Sequence, residues 1–155
     1  MKFSHLIQIN DLLNPLIDPL SREQLWRGLV HRAENPLPFV MGLDDFLILE
    51  RSENTLRREL HFGKVTVRDR VTFDPMKKIR YDTAAGEGLL ASSLVMTIEE
   101  HESEQLFVRF DYATARPAGD EPGEAYYNEF LKKAYVEADI DTIRTIRRLI
   151  EYKQL

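Results

Sequence analysis

Residues 122–153, PGEAYYNEFLKKAYVEADIDTIRTIRRLIEYK, decide the fold. Pro122 opens the stretch, and after Gly123 it holds neither proline nor glycine. Apolar residues recur at three- and four-residue spacing, the mark of a long amphipathic helix. With residues placed about 100° apart, the apolar positions of 126–138 share one face. Those of 140–150 share a face rotated by roughly a quarter to a third of a turn, more than the drift of a straight stripe. The change falls at residues 137–141 and predicts a helix that bends, breaks, or wraps a curved sheet. On that reading Tyr126, Tyr127 and Phe130 guard one end of a cavity. Ile143, Ile146, Leu149 and Ile150 seal the core.

The chain before this helix supplies its partner. ARPAGDEPGE, residues 115–124, reads as a sheet-to-helix connection. Six strand-like runs precede it, at 46–51, 55–62, 65–73, 78–84, 89–101 and 106–115. Their turns carry Glu53-Asn54, Gly63-Lys64, Asp74-Pro75-Met76-Lys77 and AAGEG. Residues 3–10 alternate, with Phe3, His5, Ile7 and Ile9 on one face, and form a seventh strand. Pro15 and Pro19 then forbid a regular element. Ser21 caps a helix, with Gln24 completing a capping box. Leu25, Trp26, Leu29, Val30 and Ala33 make its apolar stripe, and Pro36 and Pro38 end it; a single further helical turn fits near 38–42. One long helix and one antiparallel sheet must bury their apolar faces on each other. The expected architecture is a single α+β domain over 1–155, a seven-stranded curved antiparallel sheet around a long C-terminal helix.

Composition narrows the function classes. The chain has 155 residues, a net charge of −5, 43% hydrophobic and 30% charged residues, and no cysteine. An acidic chain lacks the basic footprint of a nucleic-acid or anionic-membrane binder. Disulfides, thiolate catalysis and cysteine–zinc sites are excluded. The start, MKFSHLIQIN, has no apolar core of signal-peptide length, and no run reaches membrane-spanning length. A cytoplasmic protein with no membrane span is expected. Nothing sets the oligomeric state.

One hairpin gives the sharpest inference about a site. A two-residue turn at Gly63-Lys64 puts glycine first, as a type II′ turn requires. The register then pairs Phe62 with Val65, Leu60 with Val67, Arg58 with Asp69, and Leu56 with Val71, all on one face. That face is otherwise apolar, so Arg58 and Asp69 oppose each other facing the helix. A buried charge needs a partner. Three readings stand: a structural ion pair, a ligand anchor in Arg58 for a carboxylate or phenolate, and acid–base catalysis by Asp69. A one-residue bulge would turn both groups to solvent.

Other chemistry is thin. His5, His31, His61 and His101 have no metal-site spacing, and no HExxH is present; solvated or core-satisfied histidines are expected, and no metal. Ser92 and Ser93 lack a nucleophile-elbow context. Gly86–Gly88 is a turn between strands and no phosphate loop. The cations Arg144, Arg147, Arg148 and Lys153 suit a helix C-terminus. No cofactor is called for. Trp26, Phe39, Phe62, Phe73, Tyr81, Phe110, Tyr112, Tyr126, Tyr127 and Phe130 are candidates to line a pocket for a flat apolar ligand, or plain core.

In element order and length the chain resembles the helix-grip fold of the SRPBCC (START and Bet v 1-like) superfamily. LWRGLVHRAENPLPFV at 25–40, LRRELHFG at 56–63 and DTIRTIRRL at 141–149 look like its AtaL-like family. The resemblance covers nearly the whole chain, and its motifs bear on fold and carry no catalytic signature. It implies an internal apolar cavity for lipids, polyketides or other aromatic molecules. Superfamily members include cyclases, ligand carriers and partner-binding modules. The expected function is binding of a small hydrophobic or aromatic ligand, with Arg58, Asp69, Tyr81, Phe110, Tyr112, Tyr126 and Phe130 as candidate contacts. The alternatives are a polyketide cyclase or dehydratase, with Asp69 as base and tyrosines as acids, and a protein-interaction module.

Overall fold

A computed structural model describes residues 1–115 and 122–155. Residues 116–121 of the expected connection lie outside the described residues. The elements run β1 (Lys2–Gln8), α1 (Arg22–Glu34), β2 (Asp45–Arg51), β3 (Thr55–Phe62), β4 (Val65–Asp74), β5 (Lys78–Thr83), β6 (Ser92–Glu100), β7 (Leu106–Thr114) and α2 (Pro122–Glu151). All seven strands join one antiparallel sheet in the order β1-β7-β6-β5-β4-β3-β2. Strands β2 to β7 pair with their chain neighbours, as short turns require. Strand β1 then closes against β7.

Local chemistry explains the element ends. Ser21 Oγ accepts from the Gln24 N–H at 3.1 Å, and Gln24 Oε1 accepts from the Ser21 N–H at 2.9 Å, so the capping box forms. Asn10 pins the proline-rich segment. Its Nδ2 donates to the carbonyls of Leu20 and Glu104 at 2.8 and 2.9 Å, and its Oδ1 accepts from Leu20 N–H at 2.8 Å. Gly63 sits at φ 58°, as the first position of a II′ turn demands. Strand β6 starts at Ser92, three residues later than its apolar pattern suggests. The reason is a tight loop in which Gly86 and Leu89 exchange backbone hydrogen bonds at 3.0 Å.

Helix α2 rules out the interruption that was one of the three expectations at residues 137–141. It runs without interruption through residues 137–141. Tyr135, Asp139, Thr142 and Ile146 point inward at three- and four-residue spacing, one continuous stripe. The inward positions 139 and 142 carry polar side chains, and this is what breaks the apolar pattern. Two aromatics of the first half face outward instead: Tyr126 is 79% and Phe130 63% exposed. No helix among the described residues is long and apolar enough to cross a membrane.

The two helices divide the inner face of the sheet. Helix α2 lies over β1 and β7, where Tyr135 stacks on Tyr112 at 3.9 Å and near Phe3 at 6.5 Å. Helix α1 packs Leu25, Leu29 and Ala33 into the core, and Trp26 meets Phe73 edge-on at 6.5 Å. The helices meet where Gly28 faces Ile146. A Cβ on residue 28 would come within 2.8 Å of Ile146 Cγ1. In an exposed helix, replacing glycine by alanine stabilises by about 1 kcal/mol. Here the sign reverses: Gly28→Ala is expected to destabilise by about 1–3 kcal/mol through overpacking, measured as a lowered midpoint in urea unfolding.

Candidate functional site

The sheet register arranges the inner face in crosswise rows. One row is polar: Arg58, Asp69, Thr83, Ser92 and Thr114. The next carries rings and aliphatics: Leu56, Val71, Tyr81, Leu94, Tyr112 and Phe3. A third, Phe73, Ile79, Met96, Phe110 and His5, runs through the packed core. A cavity of about 260 Å³ lies over the first two rows. Arg32 of α1, Tyr135 of α2, and Leu60, Phe62 and Val67 of the β3–β4 hairpin complete its wall.

The polar row begins with the expected ion pair. Arg58 Nε donates to Asp69 Oδ1 at 2.9 Å and Nη2 to Oδ2 at 2.5 Å, a two-pronged contact. Nη1 donates to the Ala33 carbonyl of α1 at 2.8 Å. Arg58 is 3% and Asp69 8% exposed. The bulge between Ile48 and Glu50 falls in β2, and the β3–β4 register runs without a shift, so the inward direction of both groups survives. Both carboxylate oxygens and three nitrogens are thereby engaged.

Tyr81 stands next to this pair. The guanidinium carbons of Arg58 and Arg32 lie 5.2 and 5.0 Å from its ring centroid, within cation–π range. Its hydroxyl and the Arg32 Nε are enclosed without a hydrogen-bond partner. Burial pulls the Arg32 pKa down, and nearby Tyr81, Tyr112 and Asp139 raise it by more, so the side chain is a cation. Among the described residues Arg32 forms no ion pair.

A second network lies beneath α2, behind Tyr112 of the cavity wall. The Tyr112 hydroxyl donates to Asp139 at 2.7 and 2.8 Å to its two oxygens, and His5 Nε2 lies 2.6 Å from Oδ2. His5 is stacked between Phe3 and Phe110, each at 5.3 Å. Burial pushes the Asp139 carboxyl up, against the opposing hydrogen bonds of Tyr112 and His5. Burial, together with the adjacent Asp139 charge, also pushes the Tyr112 phenol well up.

Four of the seven candidate contacts line the cavity: Arg58, Asp69, Tyr81 and Tyr112. Phe110 does not; it is fully enclosed one row away, under His5. Tyr126 and Phe130 do not either, because both face outward on α2. Among the ionisable and aromatic groups here, the sequence reading missed Arg32 and Tyr135, which line the cavity, and Asp139, which holds Tyr112 behind it. A signal existed for two of them. Arg32 follows Leu25 by two helical turns and Leu29 by one, on the buried side of α1. Asp139 precedes Ile143 by one turn and Ile146 by two, on the buried side of α2.

Comparison with known proteins places the chain. The family described as Acetylaranotin biosynthesis cluster protein L (AtaL) matches residues 7–153. No curated protein matches. Among solved structures, the Zhui aromatase/cyclase from Streptomyces sp. R1128 superposes with a TM-score of 0.67 at 20% identity, covering 97% of this chain and 95% of that one. Human STARD10 does so at 0.68 and 13% identity, covering 99% of this chain and 66% of that one. The Aha1 dimer from Colwellia psychrerythraea gives 0.61 at 15% identity, covering 94% and 96%. At such identities the likeness is one of fold: the chain has the helix-grip fold of the SRPBCC superfamily.

The Arg58–Asp69 pair makes a stability prediction. Asp69→Ala leaves a buried guanidinium without its carboxylate and is expected to cost about 3–5 kcal/mol in urea unfolding. The double variant Arg58→Met with Asp69→Leu is expected to cost less than the sum of the two single changes. A single-variant cost below about 1 kcal/mol would show that the pair is solvated and carries no such weight.

Proposed function

We propose, from the premise that the chain belongs to the AtaL family, that it is a binding protein for one small apolar or aromatic molecule held between the sheet and α2. The observation that carries this reading is the cavity of about 260 Å³, walled by tyrosine rings and aliphatic side chains with a polar row along one side. Its size sits near the lower end of small-molecule sites, roughly 300 Å³, and its mixed lining matches their usual character. A void of this kind favours a ligand binder over an interaction module whose interior is filled by its own side chains.

The same geometry speaks against the cyclase or dehydratase alternative with Asp69 as base. Both Asp69 oxygens accept from Arg58, so neither is free to take a proton from a substrate. The Tyr112 proton is committed to Asp139. A general acid or base needs a proton position within reach of the substrate, and these groups spend theirs on each other.

Native mass spectrometry of protein purified from its own source tests the reading. The expected spectrum carries an added small-molecule mass that disappears on denaturation. Val67→Trp, which narrows the cavity from β4, is expected to lose that mass while keeping wild-type circular dichroism. A bare protein mass from the wild type, together with no uptake of added aromatic compounds, would sink the proposal.

A further inference from the structure

Arg32 and Arg58 both line the cavity, yet their electrostatic situations differ. Arg58 is neutralised by Asp69 and tied to the Ala33 carbonyl. Arg32 has no carboxylate of its own among the described residues, and its Nε finds no acceptor. The nearest buried carboxylate outside the Arg58 pair is Asp139, and both of its oxygens are taken by Tyr112 and His5. Arg32 is held in place by the face of Tyr81, 5.0 Å from its guanidinium carbon. Arg32 is half-buried with its Nε enclosed and unpartnered, and a cation partly withdrawn from water attracts an anion more strongly than a fully solvated one. Its planar fork also matches a carboxylate, which can accept from two N–H groups at once.

The geometry points to Arg32 as the seat of a carboxylate: the cavity takes an apolar or aromatic carboxylic acid, with its anionic end on Arg32 and its body across Tyr81, Leu94 and Tyr112. This rests on the binding function proposed above and adds the charge of the ligand and the residue that reads it. Arg58, the cation that the hairpin register singles out, then serves as a strut. It fixes Tyr81 and α1, and so positions Arg32, without meeting the ligand itself.

The test uses a matched pair of probes, 2-naphthoate and 2-naphthamide, which share size and shape and differ in charge. Their affinities for the full chain are measured by calorimetry. The wild type is expected to bind the acid at least about tenfold more tightly than the amide, the scale of one charge-assisted hydrogen-bonded contact. Arg32→Gln is expected to abolish that preference while leaving amide affinity within about threefold, since the apolar contacts remain. Arg32→Lys keeps the charge and loses the fork, and is expected to retain part of the preference. It also serves if the Gln variant does not fold. Equal wild-type affinity for acid and amide would overturn the inference and leave the binding function standing. So would a preference that survives Arg32→Gln intact. Binding of neither probe by the folded wild type would overturn the inference, and only together with a bare native mass would it overturn the binding function as well.

Discussion

The guanidinium of Arg58 joins three parts of the fold at one point. Two of its nitrogens hold Asp69 across the β3–β4 hairpin, and a third holds the Ala33 carbonyl near the end of α1. That carbonyl belongs to the last turn of its helix, where backbone acceptors lack intrahelical donors. The contact therefore satisfies a helix end, a buried carboxylate and a buried cation together. Each alone would be costly in an apolar interior. Their combination fixes how α1 sits on the sheet, and with it the direction of Arg32, one residue before Ala33.

The polar groups of the interior are ordered by the sheet register. Because antiparallel neighbours face each other directly, a polar residue on one strand brings the polar residues of adjacent strands into line with it. Arg58, Asp69, Thr83, Ser92 and Thr114 form such a row, and the cavity lies along it. The neighbouring row of Tyr81, Leu94 and Tyr112 supplies flat apolar wall. Beyond it the side chains close into solid core around Met96 and Phe110. The cavity is thus a graded interior, polar at one edge and packed at the other. Asp139 plays toward α2 the part that Asp69 plays in the sheet: a buried carboxylate satisfied by groups from β1 and β7, which ties the helix to the sheet edge.

The candidate site was half legible in the sequence. Arg58 and Asp69 were readable because a two-residue turn with glycine first leaves one register, and a strand period of two then assigns each residue to a face. Tyr81 and Tyr112 followed from the same alternation. Phe110 shares their face, but alternation cannot say which row the cavity overlies, and it lies in the packed row. Tyr126 and Phe130 were misplaced because apolar residues were taken to mark the buried side of α2. The helix instead turns Tyr135, Asp139 and Thr142 inward and leaves Tyr126 and Phe130 outward. Arg32 and Asp139 share one reason for being missed: a charged side chain at a buried helical position breaks the very pattern by which the buried side is recognised.

By itself the sequence determined the order and type of the elements, the capping of α1, the hairpin register and the pairing of Arg58 with Asp69. These are local facts, set by turn geometry, capping chemistry and residue spacing within one element or one hairpin. Tertiary structure alone decided which side of the first half of α2 faces the sheet, which partners meet Arg32 and Asp139, and which rows of the sheet the cavity overlies. Those depend on contacts between residues far apart in the chain, such as His5 with Asp139 and Arg58 with Ala33. Asp139 faces inward because β1 and β7 bring His5 and Tyr112 to meet it, and no periodicity within α2 could announce partners that other strands supply.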